Sequence, residues 1–254
     1  MKILVLGHKG MLGNMVYKYL STKNDCELFT TDLRWPTKEF KNFVVDFCLD
    51  GYDGYIINCI GAIHQRTTNF DVNIDLPMWL DETVSTIGFP KIPIFQRCKI
   101  IHPGTDCEID NDEYGNSKRK IAEHLKENGK VTKTIKTSIV GTEVDTKASL
   151  LEWFLNTDEK EINGWSEYYW NGNTTLQWSK ICYELIKNWR EFDEVTIPAT
   201  ECISKCQLLK IMKEVYQKDI VINKSSDIKV DKCLTGNIKV PTIKEQLIEL
   251  KEFT

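Results

Sequence analysis

The chain has 254 residues, 41% of them hydrophobic and seven of them Trp. That is enough apolar material for one large α/β domain, or for a domain with an appendage, and it excludes a disordered chain. No basic run breaks the formal charge of -4, so nothing electrostatic calls for a nucleic-acid or anionic-membrane partner, and small molecules are the expected ligands.

Ile3 to Leu6 is a continuous apolar run that predicts a buried strand. It leads into Gly7-His8-Lys9-Gly10-Met11-Leu12-Gly13, after which Met15, Val16, Tyr19 and Leu20 recur at helical spacing. The run is too short for a signal-peptide core, and no apolar stretch approaches the roughly 20 residues that span a bilayer, so a cytoplasmic protein is expected. Further apolar runs at 27–31, 43–47, 55–60 and 98–102 mostly lack the alternation of a sheet with one wet face and predict buried parallel strands. Helical patterns lie between them, weaker at 36–41 and stronger at 76–84, and the segment from Tyr114 continues through Ile121, Ala122 and Leu125 as a helix. This alternation predicts a doubly wound parallel α/β sheet of the Rossmann kind over residues 1–141.

After 134–140 the elements shorten: a helix near 150–155, an aromatic stretch at 165–170, and helices near 176–189 and 205–216. Residues 142–254 are expected to form a smaller α/β substrate-binding lobe. With no Pro/Gly/Ser linker, it should pack on the sheet and interleave with it. Nine Cys at irregular spacing and only four His predict neither a disulfide framework nor a metal site, and most thiols are expected to be packing residues.

Glycines at 7, 10 and 13 between a strand and a helix allow a sharp turn, close approach of a pyrophosphate and presentation of helix amides to it. Gly7, Lys9, Gly10, Met11, Leu12 and Gly13 are therefore candidates to hold a dinucleotide. Asp32, at the end of the second strand, suits an adenosine ribose and favours NADH, whereas Lys9 and Arg34 suit a 2′-phosphate and favour NADPH. The balance leans to NADPH, with NADH the alternative.

Taken in order, Gly7-x-x-Gly10-x-x-Gly13, Asn58-Cys59-Ile60-Gly61-Ala62, Asn73, Thr105-Asp106, Tyr114-x-x-x-Lys118 and Lys136-Thr137-Ser138 resemble the extended short-chain dehydrogenase/reductases. The match is to the dTDP-4-dehydrorhamnose reductase-like branch that acts on nucleotide sugars. It continues more weakly into 149–154 and 171–175. The resemblance implies that Asp46 and Phe47 flank the adenine, that Cys59, Gly61, Ala62 and Asn73 line the cofactor groove, and that Thr137 and Ser138 sit by the nicotinamide. It also implies that Lys118 bonds the nicotinamide ribose and that Thr105 donates to the substrate carbonyl.

Reducing a ketone creates an alkoxide, so a proton donor and a stabiliser of charge are needed. Tyr114 is the expected donor. An ammonium one helical turn away, on Lys118, is expected to lower its pKa from about 10. The same spacing recurs at Tyr19/Lys23 and Tyr183/Lys187, so context rather than spacing singles out Tyr114. Cys107 stands where the related 4,6-dehydratases carry Glu and where GDP-fucose synthase carries an epimerising Cys. A thiol there can exchange a proton acidified by the C4 ketone. Glu143 and Lys147 are candidates for the opposite face of the sugar. Trp165, Tyr168, Tyr169 and Trp170 could stack on a nucleobase, with Asn171, Asn173 and Thr174 as further substrate contacts. The stretch from Thr105 to Tyr114 is shorter than the family norm, and Gly104 replaces its usual Ser; the short loop bears on substrate contacts or on a homodimer.

The expected activity is an NAD(P)H-dependent 4-reductase of a UDP- or dTDP-linked 4-keto-6-deoxy sugar, as in the making of rhamnose or 2-acetamido-2,6-dideoxyhexoses, with 3- or 3,5-epimerase activity. The alternatives are a nucleotide-sugar 4-epimerase or dehydratase that recycles NAD, and a non-catalytic dinucleotide-binding regulatory subunit.

Overall fold

The structure, a computed structural model, describes residues 1–50, 53–87, 97–144 and 149–254. Its strands are β1 (Lys2–Leu6), β2 (Glu27–Thr30), β3 (Tyr55–Asn58), β4 (Lys99–Gly104), β5 (Thr132–Lys136), β6 (Ile139–Val140), β7 (Glu161–Trp170), β8 (Asn173–Thr174), β9 (Val195–Thr196), β10 (Ile203–Ser204) and β11 (Val221–Asp231). Its helices are α1 (Met11–Ser21), α2 (Lys38–Leu49), α3 (Val72–Thr86), α4 (Glu113–Asn128), α5 (Leu150–Asn156), α6 (Thr175–Lys187), α7 (Lys205–Tyr216) and α8 (Ile243–Phe253).

Among the described residues, six strands form one sheet in the order β2-β1-β3-β4-β5-β9, every pair parallel. Period-two side-chain direction explains why its strands are apolar throughout: Ile3 and Val5 point to one layer, Leu4 and Leu6 to the other. The first layer packs Val16 and Leu20 of α1 with Trp178, Ile181 and Leu185 of α6. The second packs Phe40 and Val44 of α2 with Leu76, Leu80 and Val84 of α3. The chain leaves β1 for β2 on one side and later fills β3 on the other, so a topological switch point lies beyond the C-terminal ends of β1 and β3, where such sheets bind ligands.

The fold is the expected doubly wound α/β sheet. The segment after residue 141 supplies strand β9 and helix α6 to it, and Tyr55 Oη donates to Ile186 O at 2.9 Å across that junction. The rest of that segment builds a second body: a three-stranded sheet, β10-β7-β11, and a core of Leu151, Phe154, Leu208, Met212, Leu247 and Leu250 from α5, α7 and α8. No helix among the described residues is long and apolar enough to cross a membrane.

Two expectations are corrected. Residues 43–47 are not a strand but part of α2, capped by Thr37, whose hydroxyl accepts from Phe40 N at 3.3 Å. Phe40, Val44, Phe47 and Cys48 are its buried positions, and this helical spacing was hidden inside a short apolar run. Disulfide chemistry is also present: Cys202 and Cys233 are bonded, with Cα atoms 5.8 Å apart. They are 31 residues apart and meet through the β10-β7-β11 sheet, which no local spacing announces. Cys48, Cys98, Cys182 and Cys206 are buried and outside the disulfide, as expected of packing residues.

Asp81 of α3 fastens the start of β5, accepting from Lys130 N, Val131 N and Thr132 Oγ1 while 2% exposed. Asp81→Ala leaves those donors buried without a partner and should destabilise the fold by roughly 3 kcal/mol, read from the urea midpoint. A loss below about 0.5 kcal/mol would contradict this role for Asp81.

Candidate active site

The turn after β1 is shaped by its glycines. Gly7 has φ +77°, and a Cβ there would lie 2.9 Å from the Cys59 backbone, while a Cβ on Gly13 would lie 2.2 Å from Gly7 O. Both positions are closed to side chains by the protein itself. Gly10 differs: an added Cβ would meet only Gly7 O, at an ordinary 3.4 Å. Gly10 also starts α1 with no side-chain cap, so the first-turn amides remain available to an anion. This is the division of labour a pyrophosphate cradle requires, and the residues fit a dinucleotide. Met11 opens the helix, whereas Leu12 turns into the core and contributes only backbone. Beside the loop, Asp32 pairs with Lys9 Nζ at 2.7 Å, with His8 Nε2 at 3.6 Å. The hydrogen bond from Lys9 holds the Asp32 carboxyl below the usual carboxylate range, and Arg34 adds positive charge nearby.

Asp46 and Phe47 are not part of this groove. Both lie in α2, and Phe47 O accepts from Lys2 Nζ at 3.3 Å, at the start of β1 and thus at the opposite end of the strand from Gly7. Asn73 is also corrected. It is 1% exposed, its Oδ1 accepts from Ala62 N at 2.8 Å, and its Nδ2 donates to Ala62 O at 3.1 Å and Ser117 Oγ at 3.2 Å. It therefore shapes the loop after β3 and does not line the groove. Cys59 likewise packs its side chain into the α1/α6 layer, while Gly61 stays exposed, with Lys118 Nζ 3.8 Å from where its Cβ would be.

β4 delivers Thr105 to the same end of the sheet. Thr105 caps a short 3-10 helix, Asp106–Ile109: its Oγ1 accepts from Cys107 N at 3.2 Å and donates to Asp106 Oδ1 at 3.1 Å, and Glu108 Oε1 accepts from Thr105 N. Lys136 of β5 pins Glu108 through a 2.5 Å ion pair. Helix α4 then starts at Asp112, whose carboxylate accepts from Gly115 N. A Cβ on Gly115 would lie 2.6 Å from both Cys107 O and Asp110 O, so only glycine lets α4 settle on the 3-10 turn. That contact brings Tyr114 beside Thr105, Asp106 and Cys107 despite the short connection. The Tyr114 ring is wedged by His64, 5.0 Å between centroids, and Phe70, 5.6 Å.

Burial governs the titration of this corner. It pushes the Tyr114 hydroxyl well above its ordinary value, with Cys107 and Asp106 adding to the rise. This is opposite to the expected depression, because burial, and not the Lys118 ammonium 6.0 Å from the ring centroid, sets the shift; burial also pulls Lys118 itself down to about 8. A phenol held neutral suits a donor to an alkoxide. No hydrogen bond or ion pair to the Lys118 ammonium occurs among the described residues. His102, unforeseen, lies beneath it on β4. Burial and then Lys118 push its pKa down to about 3, and Asn58 Nδ2 is 3.4 Å from its Nδ1.

Cys107 is partly exposed beside these groups, 3.6 Å from Asp106 Oδ1. Burial and Asp106 push the thiol up to about 11, against the pull of Lys232. Lys232 and Lys205 were also missed by the sequence pattern. Lys232 follows β11 and sets Nζ 3.5 Å from Cys107 Sγ and in an ion pair with Asp110. Lys205 opens α7 with Nζ 4.9 Å from the Trp170 ring centroid and 5.5 Å from that of Tyr168, and burial pulls it down to about 8. Tyr168 stacks on Trp165 at 5.6 Å.

Three expected substrate contacts are structural instead. Asn171, 6% exposed, pairs both ways with the Leu234 backbone. Asn173, fully buried, donates to Thr137 Oγ1 and Pro198 O and accepts from Gln246. Thr174 caps α6. Thr137 is thereby occupied, while Ser138 keeps partial exposure. Glu143 is held by Arg66 at 3.4 Å and by Ser149 N at 3.0 Å. Lys147 lies outside the described residues.

No protein-family model matches the chain, and no curated protein sequence does. Solved structures do. A dTDP-4-dehydrorhamnose reductase from Clostridium acetobutylicum is similar over 99% of each chain, at 17% identity and a TM-score of 0.72. One from Bacillus anthracis, in complex with NADP, is similar over 100% of this chain and 99% of its own, at 14% identity and 0.72. A UDP-glucose 4-epimerase from Thermotoga maritima with UDP-glucose covers 100% and 98%, at 17% identity and 0.69. At these identities the likeness shows the fold.

Lys118 supplies a test that needs no substrate. Its ammonium, down from 10.5 to about 8 through burial, is charged in both folded and unfolded chains below pH 8, and its penalty is relieved only as pH rises from 8 towards 10.5. Lys118→Met should therefore stabilise the protein at pH 7 by roughly 2–3 kcal/mol, with the gain vanishing by about pH 10. Equal stability of the two chains at pH 7 would refute the burial argument.

Proposed function

We propose that this chain is an NADPH-dependent 4-reductase of a UDP- or dTDP-linked 4-keto-6-deoxy sugar, with 3- or 3,5-epimerase activity through Cys107. The observation that carries the reading is the convergence of Thr105, Cys107, Tyr114 and Lys118 at the C-terminal end of β4, beside the switch point. NADPH held along Gly7 to Gly13 would supply a hydride to the ketone carbon. Tyr114 then gives its phenolic proton to the oxygen that becomes the hydroxyl, with the Thr105 hydroxyl turning from Asp106 to donate a hydrogen bond to the same oxygen. The Lys118 ammonium offsets the negative charge left on the phenol oxygen.

Before reduction, the carbon next to the ketone is acidic: a base on one face of the ring takes its proton to leave the enolate, and the Cys107 thiol delivers a proton to the other face. A thiol held up to about 11 is protonated at neutral pH, which suits it to returning a proton to the enolate carbon. Lys9 supports the NADPH preference: its ammonium, 66% exposed on Asp32, can turn to a 2′-phosphate.

Assay of NADPH oxidation with a panel of freshly generated 4-keto-6-deoxy nucleotide sugars should show turnover, and Tyr114→Phe should lower kcat by roughly 100-fold or more. Sugar interconversion without net NADPH consumption would instead favour a 4-epimerase with recycled cofactor. Lys9→Ala should raise the KM for NADPH several-fold and leave that for NADH nearly unchanged; equal rises would contradict the 2′-phosphate assignment.

A further inference from the structure

Lys232 is distant in sequence from every catalytic candidate, yet it is built into the site with unusual firmness. Its backbone N–H donates to Tyr169 O at 3.1 Å, Leu234 is held on both sides by the Asn171 amide, and Cys233 is bonded to Cys202. The short stretch from Asp231 to Leu234 is thus fastened to β7, to the segment after it and to the start of β10. The side chain is 8% exposed, its Nζ shared between the Asp110 carboxylate and Cys107 Sγ at 3.5 Å. A solvated surface lysine needs none of this.

We infer that Lys232 is the positioning residue for Cys107: it fixes the thiol's direction and carries the counter-charge for the thiolate formed when the thiol gives up its proton. This rests on the reading that Cys107 exchanges a substrate proton. In the protonating direction the S–H bond breaks, a C–H bond forms at the carbon beside the ketone from the enolate electron pair, and the sulfur keeps a negative charge beside the ammonium. The reverse step removes that proton and returns the neutral thiol. Burial works against the Lys232 ammonium, but the Asp110 carboxylate outweighs it and keeps Lys232 charged. Lys232 is therefore a fixed charge and not the acceptor of the thiol's proton. The other groups facing the thiol are Asp106 and Asp110 from its own turn, Tyr114 and Lys118 from α4, Tyr168 from β7 and Lys205 from α7. Of the ammonium groups, Lys232 alone is within 4 Å of the sulfur among the described contacts.

Iodoacetamide alkylation, resolved by peptide mass spectrometry so that Cys107 is followed apart from the other thiols, reads the thiolate directly. Lys232→Met should slow alkylation of Cys107 at pH 8.5 by about tenfold, the change expected for one pKa unit, and move its pH midpoint upward. Lys232→Arg should stay within about threefold of the wild-type rate. Lys232→Gln, which keeps a polar head for Asp110, should slow the reaction in the same direction and serves if the Met variant does not fold. A lysine that merely packs predicts the opposite sign: its loss loosens the turn, exposes the sulfur and speeds alkylation. An unchanged or faster rate in the neutral variants overturns the inference. Deuterium wash-in from D2O into a 4-keto-6-deoxy nucleotide sugar by the wild-type protein separates the two layers. If alkylation slows as expected but no deuterium enters, the Lys232–Cys107 pairing stands and the epimerase reading falls. If deuterium enters but alkylation ignores Lys232, the reading stands and this inference falls.

Discussion

The site depends on one close approach: the backbone of Gly115 lies against the carbonyls of Cys107 and Asp110, where a Cβ would be 2.6 Å from either oxygen. Because that contact is possible, the turn carrying Thr105 and Cys107 and the helix carrying Tyr114 and Lys118 form one corner although few residues join them. The rest of the sheet serves this corner. Lys136 of β5 anchors Glu108, Asp81 of α3 anchors β5, and Asn73 sets the loop after β3 against Lys118. Glu108, Asp81 and Asn73 are buried and each has its partners, so the corner is held by bonds that are costly to leave unmade.

Burial, more than any single pairing, sets the chemistry. It weakens Lys118 and Lys205 as cations, keeps His102 neutral and keeps the Cys107 thiol and Tyr114 phenol protonated. A neutral phenol and thiol are proton donors in waiting, and the Lys118 ammonium, with no hydrogen bond or ion pair among the described residues, is matched to negative charge that develops only during reaction. Such a corner lowers the stability of the protein, a common trade in active sites. The fold alone does not select the reaction, since reductase and epimerase structures share it. The side chains of this corner carry the distinction.

Much of the framework was legible in the chain because it rests on local rules. The glycines at 7, 10 and 13 impose a backbone that side chains would block, and α7 was readable to its ends because Ser204 and Gln207 cap it reciprocally ahead of an apolar period. Other elements defeated pattern reading for physical reasons. The inward face of α2 imitates a strand when sampled over only 43–47. Strand β11 exposes both faces, so its Lys, Ser and Asp residues carry no alternation, and α8 went unread although Thr242 and Glu245 form a capping box. Polarity also does not reveal burial: Asn171, Asn173 and Thr174 look like ligand contacts in sequence but satisfy one another's neighbourhoods inside the fold. Lys232 was invisible because only the path of β11 past β7 brings it to a thiol 125 residues away.

The central claim is that this corner reduces a ketone with consumption of its cofactor. Isotope tracing tests it most directly: with NADPH deuterated on the transferring face of the nicotinamide and a 4-keto-6-deoxy nucleotide sugar, the product should carry one deuterium at C4 for each NADPH oxidised. A product formed without the label, or label found only in re-reduced cofactor, would contradict the account.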